Sequence, residues 1–396
     1  MSPHSLPMRL ALTNGQIVLP QQVIMDRTLL IEDRKITGLA EAGALGAETE
    51  QIDVEGRYIT PGLIDIHIHG ALGHTFNEPT VEAFAVILQE NARRGVTALL
   101  ATTATAPIPD LVNCLEFSRQ WLAESRPGAQ LLGVHVEGPY FSMAQRGAQD
   151  PAHIRTPDDG TPAQLLEHRD VIKMMSYAPE LPGALALTSR LVELGIVAAA
   201  GHSSATDQEV LAAMERGLSH AIHIWSAQST TIREGPWRKP GLLEASLTFD
   251  GLTVEMIADN KHLPPTLMKL AYKAIGPDRL CVISDATSGA GLPEGARFRM
   301  GGMVYQVHDG VGMMLDRSAF AGSTTLLNQM IPILVDQVGI PLVEAVRMAT
   351  LTPARVIGVA DRKGSLEPGK DADLAIFDAN FKPWRTMIGG RWINLA

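Results

Sequence analysis

The stretch Pro61-Gly62-Leu63-Ile64-Asp65-Ile66-His67-Ile68-His69-Gly70 decides the fold, because its apolar run predicts a buried strand that ends in two histidines. Residues two apart on a strand point the same way, so His67 and His69 are expected to project together and could chelate one ion. Such a pair alone does not define a metal site. Whether His67 and His69 belong to a metal site therefore depends on the residues found elsewhere in the chain.

Similar apolar runs recur along the chain and alternate with amphipathic segments such as Thr80–Arg94, Leu185–Leu194 and Ala205–Arg216. This alternation is typical of βα units around a parallel sheet, and eight strands are the number that closes a barrel. We therefore predict an α/β fold, a (β/α)₈ TIM-like barrel over residues 59–362. The eight predicted strands are Ile64–His69, Val96–Thr103, Leu132–Glu137, Ile172–Tyr177, Ile196–His202, His220–Ile224, Thr253–Ala258 and Leu280–Asp285.

Both ends of the chain carry short β segments. Near the N-terminus, Ala11–Val18 with Asn14-Gly15 predicts a hairpin, and near the C-terminus Asp373–Phe377 and Trp384–Ile393 predict strands, with Gly389-Gly390 as a hairpin turn. The two ends are expected to pair.

The predicted accessory domain is thus a composite β-sandwich of residues 1–58 and 363–396. Within the barrel, Gly289–Gly312 predicts a hairpin excursion over the barrel top.

The composition sets limits on partners and location. The 396 residues suit one large barrel with a small accessory domain, and 45% apolar and 19% charged residues are typical of a globular protein. We expect a cytoplasmic protein without membrane segments, since Cys114 and Cys281 are too few for a disulfide framework and no secretion signal or long apolar span is present. A formal charge of −10 without basic runs disfavours nucleic acid as a partner.

Polar residues mark the C-terminal ends of five of the predicted strands, the face on which barrel enzymes build their active sites. Unpaired polar groups in such a place would cost about 1–3 kcal/mol each, which argues against a purely structural role. The candidate metal ligands are His67, His69, Glu137, His202, His223 and Asp285.

Imidazole and carboxylate ligands without thiolate suit Zn²⁺, with Fe, Mn or Co possible. If Glu137 bridges, His67, His69 and Asp285 could serve one ion and His202 and His223 another, about 3.5–4 Å apart, although a single divalent metal is also compatible. Such a metal activates water at neutral pH, and Asp285 could move the proton as the catalytic acid/base. The predicted reaction is amide hydrolysis without a covalent intermediate.

Six segments and the tail 369–374 carry a family resemblance: residues 61–70, His135–Tyr140, Ala178–Glu180, Gly201–Ser203, Ser284–Ala286 and Ala321–Ser323. Together they resemble the amidohydrolase superfamily and, within it, the N-acetylglucosamine-6-phosphate deacetylases, over nearly the whole chain. Glu137 in His-Val-Glu-Gly-Pro, in place of the carboxylated lysine used elsewhere in the superfamily, points to this branch.

The resemblance implies roles for particular residues. Glu137, His202 and His223 would be the core metal ligands, His67 and His69 would complete a second site, and Asp285 would be the general acid/base. It also implies a homodimer, in which an Arg from one subunit reaches the phosphate pocket of the other. Arg238 is the matching position in this chain.

The segments that contact substrate in the family depart from its pattern. Arg146-Gly147-Ala148-Gln149 lacks a histidine that contacts the sugar, and Gly73-His74-Thr75-Phe76 replaces Gly-x-Asp-Phe. His223-Ile224-Trp225-Ser226-Ala227-Gln228 lacks the usual Asn, although Ser226 and Ala227 could still offer backbone N–H groups to an anion. The candidate substrate contacts are Gln149, Ser226, Ala227, Arg238 and His262.

The predicted function is deacetylation of N-acetylglucosamine 6-phosphate to glucosamine 6-phosphate and acetate, with a small amino-sugar substrate as the partner. Because the departures cluster around the substrate, the alternative is a different N-acyl amino sugar, of the galactosamine type, derivatised or non-phosphorylated. Two further hypotheses keep the barrel but change its use. One is a cyclic amide hydrolase or deaminase, and the other is a catalytically silent scaffold.

Overall fold

The computed structural model describes residues 9–41, 45–46 and 48–393. Its centre is a sheet of eight parallel strands that follow one another in chain order. Backbone bonds from Asp285 N to His67 O (2.9 Å) and from His69 N to Ala286 O (2.8 Å) join the end of the first strand to the segment after the eighth. The strands are β1 (Leu63–Ile68), β2 (Val96–Thr103), β3 (Gln130–Glu137), β4 (Ile172–Tyr177), β5 (Val197–Ala200), β6 (His220–Ala221), β7 (Thr253–Ile257) and β8 (Leu280–Ile283).

The predicted barrel is confirmed, and the bounds of β2 and β4 are those expected from the sequence. β5 and β6 end earlier than predicted, at Ala200 and Ala221. The reason is local, because His202 (φ 45°) and His223 (φ 27°) adopt left-handed backbone conformations that a strand does not accommodate.

Helices connect the strands and cover the barrel. The amphipathic segments predicted from the sequence are confirmed as helices, and Thr206 caps one of them through a bond from Glu209 N to its Oγ1 (3.4 Å). No described helix combines the length and apolarity needed to cross a membrane. The helices are α1 (Val81–Arg93), α2 (Ile108–Leu122), α3 (Pro162–Leu166), α4 (Ala184–Glu193), α5 (Asp207–Met214), α6 (Leu242–Thr248), α7 (Pro265–Ile275), α8 (Leu327–Pro332), α9 (Leu342–Met348) and α10 (Leu351–Val356).

The main core lies between the barrel strands and these helices. β1 is buried along its whole length, and Phe84 and Ile87 of α1 are buried against the sheet. Each large apolar side chain buried in this way contributes about 1.5–3 kcal/mol. Cys114 and Cys281 are both buried, and burial raises the pKa of each thiol, so they serve as packing residues.

The terminal segments form two further sheets that share a second core, which includes Leu12, Leu29 and Leu374. The C-terminal strand Leu374–Phe377 pairs antiparallel with Tyr58–Pro61, so the predicted pairing of the two chain ends is confirmed. One sheet contains Lys35–Glu41, Arg27–Glu32, Arg9–Thr13 and Glu50–Asp53. The other contains Arg391–Trp392, Pro383–Ile388, Leu374–Phe377, Tyr58–Pro61, Gln16–Val18 and Val23–Ile24.

The hairpin predicted over Ala11–Val18 is wrong. Arg9–Thr13 and Gln16–Val18 belong to different sheets, and the chain passes from one to the other at Asn14, where φ is 55°. A side chain at Gly15 would come within 2.6 Å of Ile59 Cδ1, so glycine is needed for this close passage.

The domain boundaries at 58/59 and 362/363 stay a prediction. Of the predicted accessory domain, residues 1–8, 42–44, 47 and 394–396 lie outside the described part of the chain.

The glycine-rich excursion after β8 is part of a larger feature, a four-stranded antiparallel sheet over the mouth of the barrel. Its strands are Arg297–Met300, Met303–His308, Val311–Met314 and Phe320–Ser323. Two short hairpins, Gly70–Ala71 with His74–Thr75 and Ile232–Glu234 with Trp237–Lys239, complete the described strands.

A buried ion pair joins the segment after α10 to the C-terminal sheet. The Lys363 ammonium binds the Asp373 carboxylate, and both residues are buried, at 3% and 5% exposure. Lys363→Met should lower the free energy of unfolding by about 3–5 kcal/mol, because it leaves a buried carboxylate unpaired. Urea unfolding followed by circular dichroism measures the change.

Lys35→Met is the matched control. The exposed Lys35 also binds a carboxylate, at 2.7 Å from Asp371 Oδ1, yet its loss should cost less than about 1 kcal/mol. Equal losses of unfolding free energy in the two variants would show that burial does not make the pair of Lys363 and Asp373 more important for stability than an exposed pair.

Candidate metal centre

The barrel brings the six predicted metal ligands together at its carboxyl edge. Glu137 ends β3 and stands at the centre of the group, with its Oε1 3.1 Å from both His202 Nε2 and His223 Nε2. His69 Nε2 lies 3.4 Å from Glu137 Oε2 and 3.3 Å from Asp285 Oδ1. His67 Nε2 lies 3.6 Å from Glu137 Oε1 and 3.7 Å from Asp285 Oδ1.

The donor set fits a divalent metal. His202 Nδ1 and His223 Nδ1 lie 2.9 and 3.1 Å from the backbone carbonyl oxygens of Gln145 and Ser226, to which they donate. This fixes the ring orientation and points each Nε2 at Glu137, where it would bind a metal in place of its proton. Buried His67 Nε2 has no hydrogen-bond partner among the described residues, as expected for an atom that serves a metal.

Among the six candidate ligands, two overlapping groups of ligand atoms are close enough to hold ions. One consists of His67, Glu137 and His223, and the other of His67, His69 and Asp285. Glu137 contacts His69 through Oε2, and it contacts His67 and the histidines after β5 and β6 through Oε1. The geometry is thus compatible with either one or two ions that share this carboxylate.

The backbone is strained where the ligands leave the strands. His202, His223 and Asp285 all have positive φ, at 45°, 27° and 45°, although none is glycine. Conformations of this kind cost about 1–3 kcal/mol each and cluster at functional sites. The strain turns each side chain toward the centre two residues after its strand ends.

The two carboxylates are charged. Burial raises the pKa of Glu137, but hydrogen bonds from His202, His223 and His69 outweigh it and hold this pKa well below its usual range. In Asp285 burial is likewise outweighed, by the bond with His69 and by neighbouring imidazoles, so its pKa is also lowered.

The pKa values of His67 and His69 are shifted in the opposite direction, upward. Burial lowers the pKa of His67, but the neighbouring carboxylates, first Glu255 and then Glu137 and Asp285, raise it to about 10. At His69 the carboxylates of Asp285 and Glu137 likewise outweigh burial and raise the pKa to about 9. Protons therefore balance the carboxylates in the free protein, and a bound cation would displace them.

A cavity of 280 Å³ opens above the ligands. Of the predicted substrate contacts, Gln149, Ser226, Ala227 and His262 line it, whereas Arg238 does not. Arg238 lies instead on the exposed hairpin of Ile232–Glu234 and Trp237–Lys239.

Gln149 makes a contact that the sequence did not predict. Its Nε2 donates to Glu137 Oε2 at 2.6 Å, and its Oε1 accepts from Thr105 N at 2.8 Å. The side chain is thus bound to a candidate metal ligand and to the backbone, which leaves it less free to contact a substrate.

The sequence also missed three apolar residues of the cavity wall, Trp225, Met300 and Phe320. Met300 and Phe320 come from the four-stranded sheet over the barrel mouth, and only the glycine-rich excursion hinted at that sheet. His262 packs against Phe320, with ring centroids 5.0 Å apart, and its Nδ1 lies 2.7 Å from Asp259 Oδ2.

Comparison with known proteins agrees with this architecture. Residues 58–393 match the amidohydrolase family. The chain is 34% identical to an N-acetylglucosamine-6-phosphate deacetylase of Haemophilus influenzae, over 97% of this chain and 99% of that protein. It is 32% identical to an N-acetylgalactosamine-6-phosphate deacetylase of Escherichia coli O157:H7, over 85% and 88%.

Solved structures show the same relationship. The crystal structure of N-acetylglucosamine-6-phosphate deacetylase from Pasteurella multocida superposes with a TM-score of 0.91 at 30% identity, over 97% of this chain and 99% of that one. The Mycobacterium smegmatis enzyme of the same name gives a TM-score of 0.88 at 29% identity, over 98% and 100%. The chain belongs to the amidohydrolase family and, within it, to the N-acetylglucosamine-6-phosphate deacetylase group.

Proposed function

We propose that this protein hydrolyses the N-acetyl group of N-acetylglucosamine 6-phosphate, with release of acetate and glucosamine 6-phosphate, as a cytoplasmic homodimer. The observation that carries the proposal is the convergence of four imidazoles and two carboxylates on one point beneath a 280 Å³ cavity. The names of the similar proteins support the same chemistry.

Glu137, His202 and His223 would hold the principal divalent metal, for which Zn²⁺ suits the ligand set best. His67, His69 and Asp285 would hold a second ion in a binuclear centre. A metal bound there supplies Lewis-acid polarisation of the acetyl carbonyl and lowers the pKa of water.

Asp285 is the proposed proton carrier. Its lowered pKa keeps it ionised at neutral pH, and it lines the cavity, so it can accept a proton from the attacking water. The same carboxyl group then delivers the proton to the leaving amine nitrogen. His262, oriented by Asp259, and the backbone of Ala227 are proposed to position the sugar. The backbone N–H of Ser226, expected from the sequence to face an anion, instead donates to His223 O at 3.0 Å.

A second substrate class is favoured by the composition of the cavity wall. No Lys or Arg of the described chain lines the cavity, while Trp225, Met300 and Phe320 give it an apolar side. A phosphate would therefore depend on backbone N–H groups, on His262, or on Arg238 of a second subunit. The alternative substrate is a galactosamine-type, derivatised or non-phosphorylated N-acyl amino sugar.

The deciding assay is acetate release from N-acetylglucosamine 6-phosphate, N-acetylgalactosamine 6-phosphate and free N-acetylglucosamine, with zinc-loaded protein. We expect the highest kcat/KM with N-acetylglucosamine 6-phosphate. Preference for another of these sugars would favour the alternative. Ammonia release would instead indicate a deaminase, and no turnover of any substrate would favour a scaffold.

Asp285→Asn should lower kcat by about 10²–10⁴-fold, because the amide can neither accept nor deliver the proton. Zinc bound per chain should stay at one or more, since Glu137, His202 and His223 are unchanged. Steady-state kinetics and elemental analysis of one sample measure both effects. A kcat within twofold of wild type would contradict the assigned role.

Arg238→Ala tests the phosphate contact between subunits. Loss of a charged hydrogen bond worth about 1.5–3 kcal/mol should lower kcat/KM for the 6-phosphorylated sugar by about 10–100-fold. The free sugar should be unaffected. Arg233→Ala, on the facing strand of the same exposed hairpin, is the control and should change neither value. Equal losses with both sugars would show that Arg238 does not bind the phosphate.

A further inference from the structure

A second polar layer lies inside the barrel, beneath the candidate metal ligands. Glu255 stands in the middle of β7, and its neighbours His220 on β6 and His135 on β3 belong to the same layer. All three residues are 0% exposed. Buried ionisable groups are costly unless they are paired, so this layer requires an explanation that packing alone does not give.

Both oxygens of Glu255 are used. Oε2 lies 2.7 Å from His67 Nδ1 and accepts from the backbone N of His223 at 3.3 Å. Oε1 lies 3.1 Å from His220 Nε2. Glu255 thus binds two candidate metal ligands, the ring of His67 and the backbone of His223.

The contact with Glu255 decides which nitrogen of His67 can serve a metal. An ionised carboxylate only accepts hydrogen bonds, so His67 Nδ1 must carry the proton and donate it. When a bound cation displaces the second proton of the ring, the lone pair is left on Nε2, the atom that faces Glu137 and Asp285 and has no hydrogen-bond partner among the described residues. A carboxylate behind a ligating imidazole also makes the imidazole a stronger donor to the metal.

His220 holds Glu255 from the opposite side. Its Nε2 faces the acceptor-only carboxylate and donates to Glu255 Oε1 at 3.1 Å. Its Nδ1 lies 2.7 Å from Thr253 Oγ1, which fixes the orientation of the ring. Glu255 is therefore held between the rings of His67 and His220.

We propose that Glu255 is a positioning residue of the metal centre. It holds His67 with Nδ1 protonated and Nε2 presented to the metal, and His220 holds Glu255 in place from the opposite side. This inference rests on the metal site proposed above, and it does not depend on which sugar is the substrate.

The same layer could in principle hold an ion itself, since ligand atoms of His67, His135 and Glu255 lie within 4.8 Å of one another. Hydrogen bonds already account for most of these atoms, because His67 Nδ1 is at hydrogen-bond distance from Glu255 and His135 Nε2 lies 3.0 Å from Ser176 Oγ. A zinc ion located in this layer would overturn the proposal.

The test measures zinc affinity, independently of turnover, by competition of the full-length protein with a chromophoric chelator. In Glu255→Gln the side chain keeps its size but loses its charge and one acceptor. The affinity of the site that contains His67 should fall about 10–100-fold, the effect typical of removing a partner of a metal-bound histidine. The site of Glu137, His202 and His223 should remain filled, so at a suitable free zinc concentration the bound zinc falls by one ion per chain.

Ser176→Ala is the matched control. It removes a buried hydrogen bond to His135 in the same layer and leaves Glu255 and His67 untouched, so it should lower thermal stability without a change in zinc affinity. The double variant Glu255→Gln/His220→Asn keeps the test possible if the single variant fails to fold. Because it replaces both partners of the contact between Glu255 and His220, neither partner faces a group it can no longer bind, and its stability should recover while zinc affinity stays low.

The proposal is overturned if either Glu255 variant binds zinc as wild type does. It is also overturned if wild type binds one zinc per chain and the affinity is unchanged in Glu255→Gln. Failure of the proposed function would be distinct. A wild type that binds zinc but releases no acetate would refute only the substrate assignment, and a wild type that binds no metal would refute the metal centre itself.

Discussion

The Glu137 carboxylate is the group on which the rest of the site depends. It is nearly inaccessible to solvent at 2% exposure, and it retains its charge because His202, His223 and His69 surround it. A buried carboxylate without such partners would be strongly destabilising, and imidazoles without a carboxylate would repel one another once protonated. The same arrangement is also a ligand set for a cation, so the requirements of stability and of metal binding coincide.

The topology of the barrel brings these imidazoles to Glu137. Parallel strands bring their carboxyl ends to one edge, and side chains at or just after the ends of β1, β3, β5, β6 and β8 meet there although they are far apart in sequence. The left-handed backbone at His202, His223 and Asp285 is the local cost of this convergence. Below the edge, β7 adds Glu255 behind His67, so that a carboxylate lies on either side of this imidazole.

The sequence was sufficient for the barrel and for the convergence of the six candidate ligands because both follow from simple periodicities. Side chains alternate in direction along β1, which places His67 and His69 on the same face. The repeated succession of strand and helix gives the number of βα units. Features set by contacts between distant segments could not be predicted in this way. Met300 and Phe320 reach the cavity only through the packing of the four-stranded sheet, and Gln149 binds Glu137 because a loop folds back over β3. The passage of Asn14-Gly15 between two sheets resembles a hairpin turn locally, and only the tertiary packing distinguishes the two.

Anomalous X-ray diffraction at the zinc absorption edge, from crystals of the zinc-loaded protein, tests the central claim most directly. The account predicts a strong anomalous peak within coordination distance of Glu137 Oε1, His202 Nε2 and His223 Nε2. A protein that binds zinc elsewhere, with no peak beside Glu137, would contradict the claim that this carboxylate organises the metal centre.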